Sequence, residues 1–263
     1  MNEQAEFESS VLSCLDSQPF SVKFITSDST SATYGYVDGR ELFYSADGKK
    51  MGEALAALHS FPPAHPPKFA PYISCEKFIQ GLLSNSEKSI PKNPHVPRDA
   101  ADFAMAAIAN SKPALPAAAS GASSGCLVHN DLVARNVIVD NSGQPHLIDW
   151  TWALHSDAVL DLLSYTCPII TSWDYEHFIS GGQEKAFLLA YCASRNLDGA
   201  EKKALLLILS SLAKPYFAAT LGWALSEFVG SSWDKSTQER LCDMAFLRRA
   251  SAASEGIAKR ISL

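Results

Sequence analysis

The chain has 263 residues, 47% hydrophobic and 19% charged, which is enough to bury a substantial core and argues against long disorder. Its net charge of -6 offers no clustered basic footprint for nucleic acid. The six cysteines, Cys14, Cys75, Cys126, Cys167, Cys192 and Cys242, show neither a C-x-x-C pair nor zinc-ligand spacing, so they read as reduced thiols of a cytoplasmic protein.

The acidic start, Met1 to Glu8, lacks the basic and apolar regions of a signal peptide. Phe7, Val11, Leu12 and Leu15 recur at helical spacing and predict a helix over Glu3 to Leu15, stopped at Gln18-Pro19. Phe20 to Ile25 and Ala32 to Val37 read as the strands of a hairpin across a polar turn. Tyr36 to Leu42 follows, with Asp38-Gly39 as a turn signal, and Met51, Leu55 and Leu58 predict a helix over 46–60. Pro62-Pro63 and Pro66-Pro67 stop it, and 62–98 is a proline-rich excursion with a short helix near Ser74 to Leu83. An alanine-rich helix over Asp99 to Asn110 is expected to pack beneath the segment that follows, and Gly121 to Gly125 reads as a linker.

Residues 126–153 organise the rest. The apolar runs Leu127-Val128, Val137-Ile138-Val139 and Leu147-Ile148 predict a loop and a buried hairpin, with Asn141-Ser142-Gly143 as its turn. Asp131 and Asn136 lie on the loop before the first hairpin strand and Asp149 follows the second, so three oxygen-bearing side chains should converge. Such a set suits a hard cation. Phosphoryl transfer needs one carboxylate to orient a hydroxyl and take its proton, and further oxygen ligands to hold Mg²⁺ on the phosphates.

The string His129-Asn-Asp131-Leu-Val-Ala-Arg-Asn136, followed by Ile148-Asp149-Trp150, resembles the aminoglycoside phosphotransferase and choline kinase family, whose motifs read H-x-D-x-x-x-x-N and I-D-[WF]. The resemblance implies an α+β, protein-kinase-like fold. A reduced N-terminal lobe over 1–38, one helix and a short antiparallel hairpin, would precede a large, mainly helical C-terminal lobe over 39–263, with the catalytic loop at 127–150. It implies ATP, or another nucleoside triphosphate, and Mg²⁺. Asp131 takes the catalytic role, Asn136 and Asp149 the metal, and Tyr36 and Val37 the adenine edge. His129 holds the loop, Asp161 in Asp157-Ala-Val-Leu-Asp161-Leu braces it, and Glu8, or less readily Glu6, stands where the family has a glutamate that pairs with a phosphate-binding lysine. Leu55 to His59 matches the family's helix after the lobe junction.

The Gly-rich hairpin and the lysine strand have no counterpart upstream of Tyr36. Lys23 follows the helix instead of preceding it, and Gly48-Lys49-Lys50 lacks the rest of a phosphate loop. The expected acceptor is a hydroxyl of a small molecule or of a peptide Ser or Thr, with a protein partner completing the nucleotide site as one version. Neither nucleic acid nor membrane is expected as a partner. A degenerate kinase-like scaffold, and a kinase fold turned to non-phosphoryl chemistry, are the alternatives.

Beyond the loop, helices are expected at about 183–195, 200–213, 216–229 and 235–260. Lys214-Pro215 and Glu227 interrupt the apolar stretch from Ala204 to Val229, which therefore reads as a buried helix pair. Trp173, Asp174, Tyr175, Glu176, Trp223, Glu227 and Trp233 are candidate acceptor contacts, although aromatics at helical spacing are usually core.

Overall fold

The computed structural model describes residues 3–28, 31–61, 72–117, 125–173 and 178–255. The proline pairs at 62–67, most of the glycine-containing linker and the candidates Asp174, Tyr175 and Glu176 lie outside them. Helix α1 (Glu3–Cys14) buries Val11 and Leu12 and packs on a two-stranded antiparallel hairpin, β1 (Phe24–Ser27) and β2 (Ala32–Tyr34). The expected first strand begins four residues late. Phe20 and Ser21 instead reach the distant Leu147, whose N–H donates to the Phe20 carbonyl at 2.8 Å, so long-range pairing overrides the local pattern.

Strand β3 (Gly39–Glu41) was not foreseen, because three exposed residues carry no alternation. Its place depends on Gly39, where a Cβ would lie 2.4 Å from the Val139 carbonyl oxygen. Helix α2 (Tyr44–Ser60) follows, then α3 (Cys75–Ser89), capped by Ser74, and α4 (Arg98–Ser111). Helix α4 packs mainly on a later helix of the core.

Four short strands build the centre: β4 (Cys126–Val128), β5 (Val137–Asp140), β6 (Pro145–Leu147) and β7 (Leu154–Ser156). The order β3-β5-β6 forms one antiparallel sheet, and β4 pairs with β7 in another. The hairpin β5–β6 falls where the apolar runs and the Asn141 to Gly143 turn placed it, with Gly143 at φ +83°. Only glycine takes that angle without strain.

The remainder is helical: α5 (Val159–Thr166), α6 (Pro168–Thr171), α7 (Gly181–Ser194), α8 (Gly199–Glu227), α9 (Lys235–Cys242) and α10 (Met244–Ser254). Helices α2 and α7 cross so closely that a Cβ on Gly52 would lie 2.5 Å from the Phe187 carbonyl oxygen. The expected helix pair over 200–229 is one continuous helix, with Pro215 buried inside it. Packing against α3, α4, α5, α6 and α10 offsets the roughly 3 kcal/mol that an interior proline costs. By length and composition α8 could cross a membrane; 56% of its apolar window is buried within the protein. Conversely, the helix expected over 235–260 divides at Asp243, whose carboxylate accepts from Ala245 N–H at 2.9 Å and Phe246 N–H at 3.2 Å and so starts α10.

Candidate active site

The loop between β4 and β5 is fixed from beneath by a buried carboxylate. Asp161, fully buried on α5, accepts from His129 N–H at 2.9 Å and from Asn130 N–H at 2.7 Å. Its Oδ2 also lies 3.0 Å from His59 Nε2, and His59 Nδ1 lies 3.0 Å from the Tyr191 hydroxyl. Helices α2, α5 and α7 thus join in one polar chain under the loop. These bonds satisfy two loop donors that strand pairing cannot reach, and they allow Asn130 to adopt its left-handed φ of 63°. His129 is also fully buried. Its Nδ1 accepts from Asp131 N–H at 3.3 Å, which assigns the ring proton to Nε2, the donor to the Ile148 carbonyl at 2.9 Å. The ring packs on Trp150, centroids 4.7 Å apart. His129 therefore ties the loop to the segment bearing Asp149.

A 3-10 turn over Ala134–Asn136 brings Asn136 back to Asp131. The Asn136 Nδ2 donates to Asp131 Oδ2 at 2.8 Å and to the Asp131 carbonyl at 3.1 Å. Both amide hydrogens are committed there, which leaves Oδ1 as the acceptor atom for another ligand. Asp149 takes a left-handed conformation, φ 60° and ψ 73°, its side chain accepting from Thr151 N–H at 3.4 Å. Asp131, Asn136 and Asp149 line one cavity of about 130 Å³, so the three oxygen-bearing side chains meet at one place.

Electrostatics agree with that proximity. Burial pushes the Asp131 carboxyl above its ordinary range and the Asp149 charge adds to the rise, while His129, Asn136 and Arg135, in that order, hold it back. Glu8 of α1 also arrives here: its Oε1 accepts from Trp150 N–H at 3.1 Å. Burial and the Asp149 charge push the Glu8 carboxyl up, against that hydrogen bond. Glu8 thus accepts from the backbone one residue after Asp149. Lys23 is exposed and lines neither cavity at Asp131. Tyr36 is 90% exposed and Val37 partly buried, on the segment between β2 and β3.

The same cavity is lined by aromatic residues, Trp152, Trp173, Trp223, Phe228 and Trp233, with Ile170. Trp173 stacks on Trp223 at 6.0 Å, and Phe228 meets Trp173, Trp223 and Trp233 edge-on at 4.7 to 4.9 Å. An adjoining hollow of about 110 Å³ shares Asp131, Trp152, Ile170 and Trp223 and adds Phe78, Leu82, Asn130, Tyr216 and Thr220. Of the candidate acceptor contacts, Trp173, Trp223 and Trp233 line this cavity with Asp131. Glu227 lies on the exposed side of α8 and lines neither hollow.

Sequence reasoning passed over Arg135, Trp152, Phe228 and His59. Arg135 occupies a variable place of the loop motif, and the aromatics carry the same periodicity as core residues. His59 closed the Leu55 to His59 match, and its partner Asp161 is apparent only in three dimensions.

The donor chemistry fits a hard divalent cation: one carboxylate and one amide oxygen converge beside a second carboxylate, and no thiol or imidazole is among the described residues that line the cavity. Among the described residues no group of three or more His, Cys, Asp or Glu side chains is arranged to hold a metal by itself, so phosphate and water oxygens would complete such a shell.

A helical lobe carrying an acidic loop between short antiparallel sheets defines the kinase-like class. The phosphotransferase enzyme family matches residues 32–203, and the chain belongs to that family. The fold is similar to that of an aminoglycoside phosphotransferase from Alicyclobacillus acidocaldarius (TM-score 0.63, 16% identity, 99% of this chain and 83% of that one). It is similar to a Plasmodium vivax ethanolamine kinase (TM-score 0.65, 14% identity, 97% and 73%) and to a spectinomycin phosphotransferase in complex with ADP and spectinomycin (TM-score 0.60, 15% identity, 97% and 83%). No curated protein matches the chain.

Proposed function

We propose that the chain transfers a phosphoryl group from ATP, or another nucleoside triphosphate, to a hydroxyl of a small molecule, in the cytoplasm. The observation that carries this reading is the meeting of Asp131, Asn136 and Asp149 in one cavity that aromatic residues also line. Asp131 orients the acceptor hydroxyl and takes its proton as the new oxygen–phosphorus bond forms and the bond to the departing nucleoside diphosphate breaks. The raised proton affinity of Asp131 suits a base that must accept a proton near neutral pH. Asn136 fixes the Asp131 carboxylate through Nδ2, while its Oδ1 and the Asp149 carboxylate would hold Mg²⁺. The metal, when bound, neutralises charge on the phosphates. His129 and Asp161 keep the loop in register, Glu8 positions the turn after Asp149, and backbone groups at Tyr36 and Val37 would take the adenine edge. The neighbour held with ADP supports nucleotide use, and the neighbours named for small hydroxyl compounds support such an acceptor.

Thermal unfolding of the purified chain with ATP, ADP or GTP, with and without Mg²⁺, tests the nucleotide site. A magnesium-dependent rise in Tm, absent in Asp149→Asn, is expected. No shift with any nucleotide overturns a self-sufficient site.

A second reading is favoured by the apolar side chains exposed around the β1–β2 hairpin and β3, where Ile25, Tyr34, Tyr36 and Phe43 are 57%, 37%, 90% and 52% exposed. There a protein partner would complete the nucleotide site, the acceptor could be a peptide Ser or Thr, and without catalysis the chain would act as a scaffold. Nucleotide response only after a partner is added would select it.

A further inference from the structure

Asp131 is shared by two hollows of different chemistry. The cavity of about 130 Å³ is also lined by Asn136 and Asp149, whereas the adjoining one of about 110 Å³ has neither in its lining. In phosphoryl transfer the acceptor hydroxyl must meet the base while the phosphates and their metal lie at the metal ligands, here Asn136 and Asp149. The body attached to that hydroxyl then extends into the smaller hollow, and the walls of that hollow decide which body fits.

Helices α3 and α8 supply most of those walls. Phe78 and Leu82, four residues apart, share one face of α3, and Tyr216, Thr220 and Trp223 share one face of α8. Asp131 is the one charged side chain among the described residues that line the hollow. Its width is held by the residue before Trp223: a Cβ on Gly222 would lie 2.6 Å from the Ser86 Cβ, so α3 and α8 are in close contact there. The volume equals that of about four waters in the liquid, which admits a body of roughly four to six carbon-sized atoms.

An ammonium group taken from water into such a space needs fixed acceptors or a counter-charge. The carboxylate within reach is Asp131, which transfer requires as the base, and burial already opposes its ionisation. Ring faces attract a quaternary ammonium. Trp223, however, stacks on Trp173 at 6.0 Å and meets Phe228 and Trp152 at near right angles, 4.7 and 6.5 Å away, so much of its surface is engaged within the aromatic cluster. Apolar carbon carries no such desolvation cost and is favoured by contact with Phe78, Leu82 and Ile170.

We infer that the acceptor is a small uncharged alcohol whose compact apolar body sits between α3 and α8, with Phe78 and Leu82 as specificity-determining residues. This rests on the phosphotransferase reading of Asp131.

Two probes of one shape separate charge from size: 3,3-dimethylbutan-1-ol and choline, which differ by a quaternary carbon in place of the ammonium nitrogen. Isothermal titration of the full chain, with tryptophan emission as a second readout because Trp152 and Trp223 line the hollow, should show the neutral alcohol binding about tenfold or more tightly. Leu82→Glu puts a carboxylate into the hollow and should reverse the preference; Phe78→Glu should do the same from one helical turn away, and the wild-type comparison decides even where a variant does not fold. Choline binding as tightly as the neutral alcohol, or no binding of the neutral alcohol, overturns the inference, as does an unchanged preference in both folded variants. Rapid transfer of phosphate from ATP to choline would overturn it while leaving the phosphotransferase reading intact. Selective binding of the neutral alcohol with no transfer to it would support the hollow's selectivity and count against that reading alone.

Discussion

Asp149 offers the sharpest separation of stability from activity. It sits at φ 60° and ψ 73°, a conformation that costs an L-residue about 1 to 2 kcal/mol and an aspartate somewhat less, because its side chain can bond locally. The local bond, from Thr151 N–H, is long at 3.4 Å and exposed, so it returns only a few tenths of a kcal/mol. Replacement by glycine removes the strain but adds about 0.5 to 1 kcal/mol of unfolded-chain entropy. Asp149→Gly should therefore leave stability within about 1 kcal/mol of wild type. Asp149→Ala keeps the full left-handed cost and loses the local bond, and should be about 1 kcal/mol less stable than the glycine variant, a difference of about 2 to 4 °C in Tm. Both should lose phosphotransfer by about a thousandfold or more, because a ligand to the phosphate-bound metal is gone. Urea titration with m-values, alongside a coupled assay for ADP release, measures the two quantities separately. The reasoning fails if alanine equals or exceeds glycine in stability, or if either variant turns over at a rate near wild type.

Asp131→Asn addresses the base. Burial raises the folded carboxyl above its unfolded value, so in the pH window between the two the folded state binds more protons, and stability declines as pH rises through that window. At neutral pH the variant should be more stable than wild type, with the gain vanishing below the ordinary carboxylate range and activity lost throughout. Stability curves at several pH values check this, and a variant that is less stable at neutral pH would contradict the assignment. Asp161→Asn puts an amide group against the backbone donors of His129 and Asn130 in a fully buried site, and should cost about 2 to 4 kcal/mol while lowering kcat through a displaced loop. Urea unfolding together with kinetics of the surviving fold tests that pairing; an unchanged midpoint would show that the brace carries no weight.

Much of the central region was legible because its signals are local. The β5–β6 hairpin follows from short apolar runs around a glycine turn, α2 and α7 follow from the spacing of their apolar residues, and the spacing of Asp131, Asn136 and Asp149 is set by a short loop and one hairpin. Helix α8 was misread at Pro215 for the opposite reason. Proline is a strong local signal, and the neighbours that pack on the continuous helix lie far away in the chain.

What the sequence determined was the family motif, the α+β architecture and the residues whose oxygens converge. What the tertiary structure alone decided was which distant groups surround them: Glu8 on the Trp150 amide, His59 and Tyr191 behind Asp161, and Arg135 across Trp233. The physical reason is that hydrophobic periodicity reports whether a side chain is buried, whereas the identity of its partner depends on how helices pack and cross.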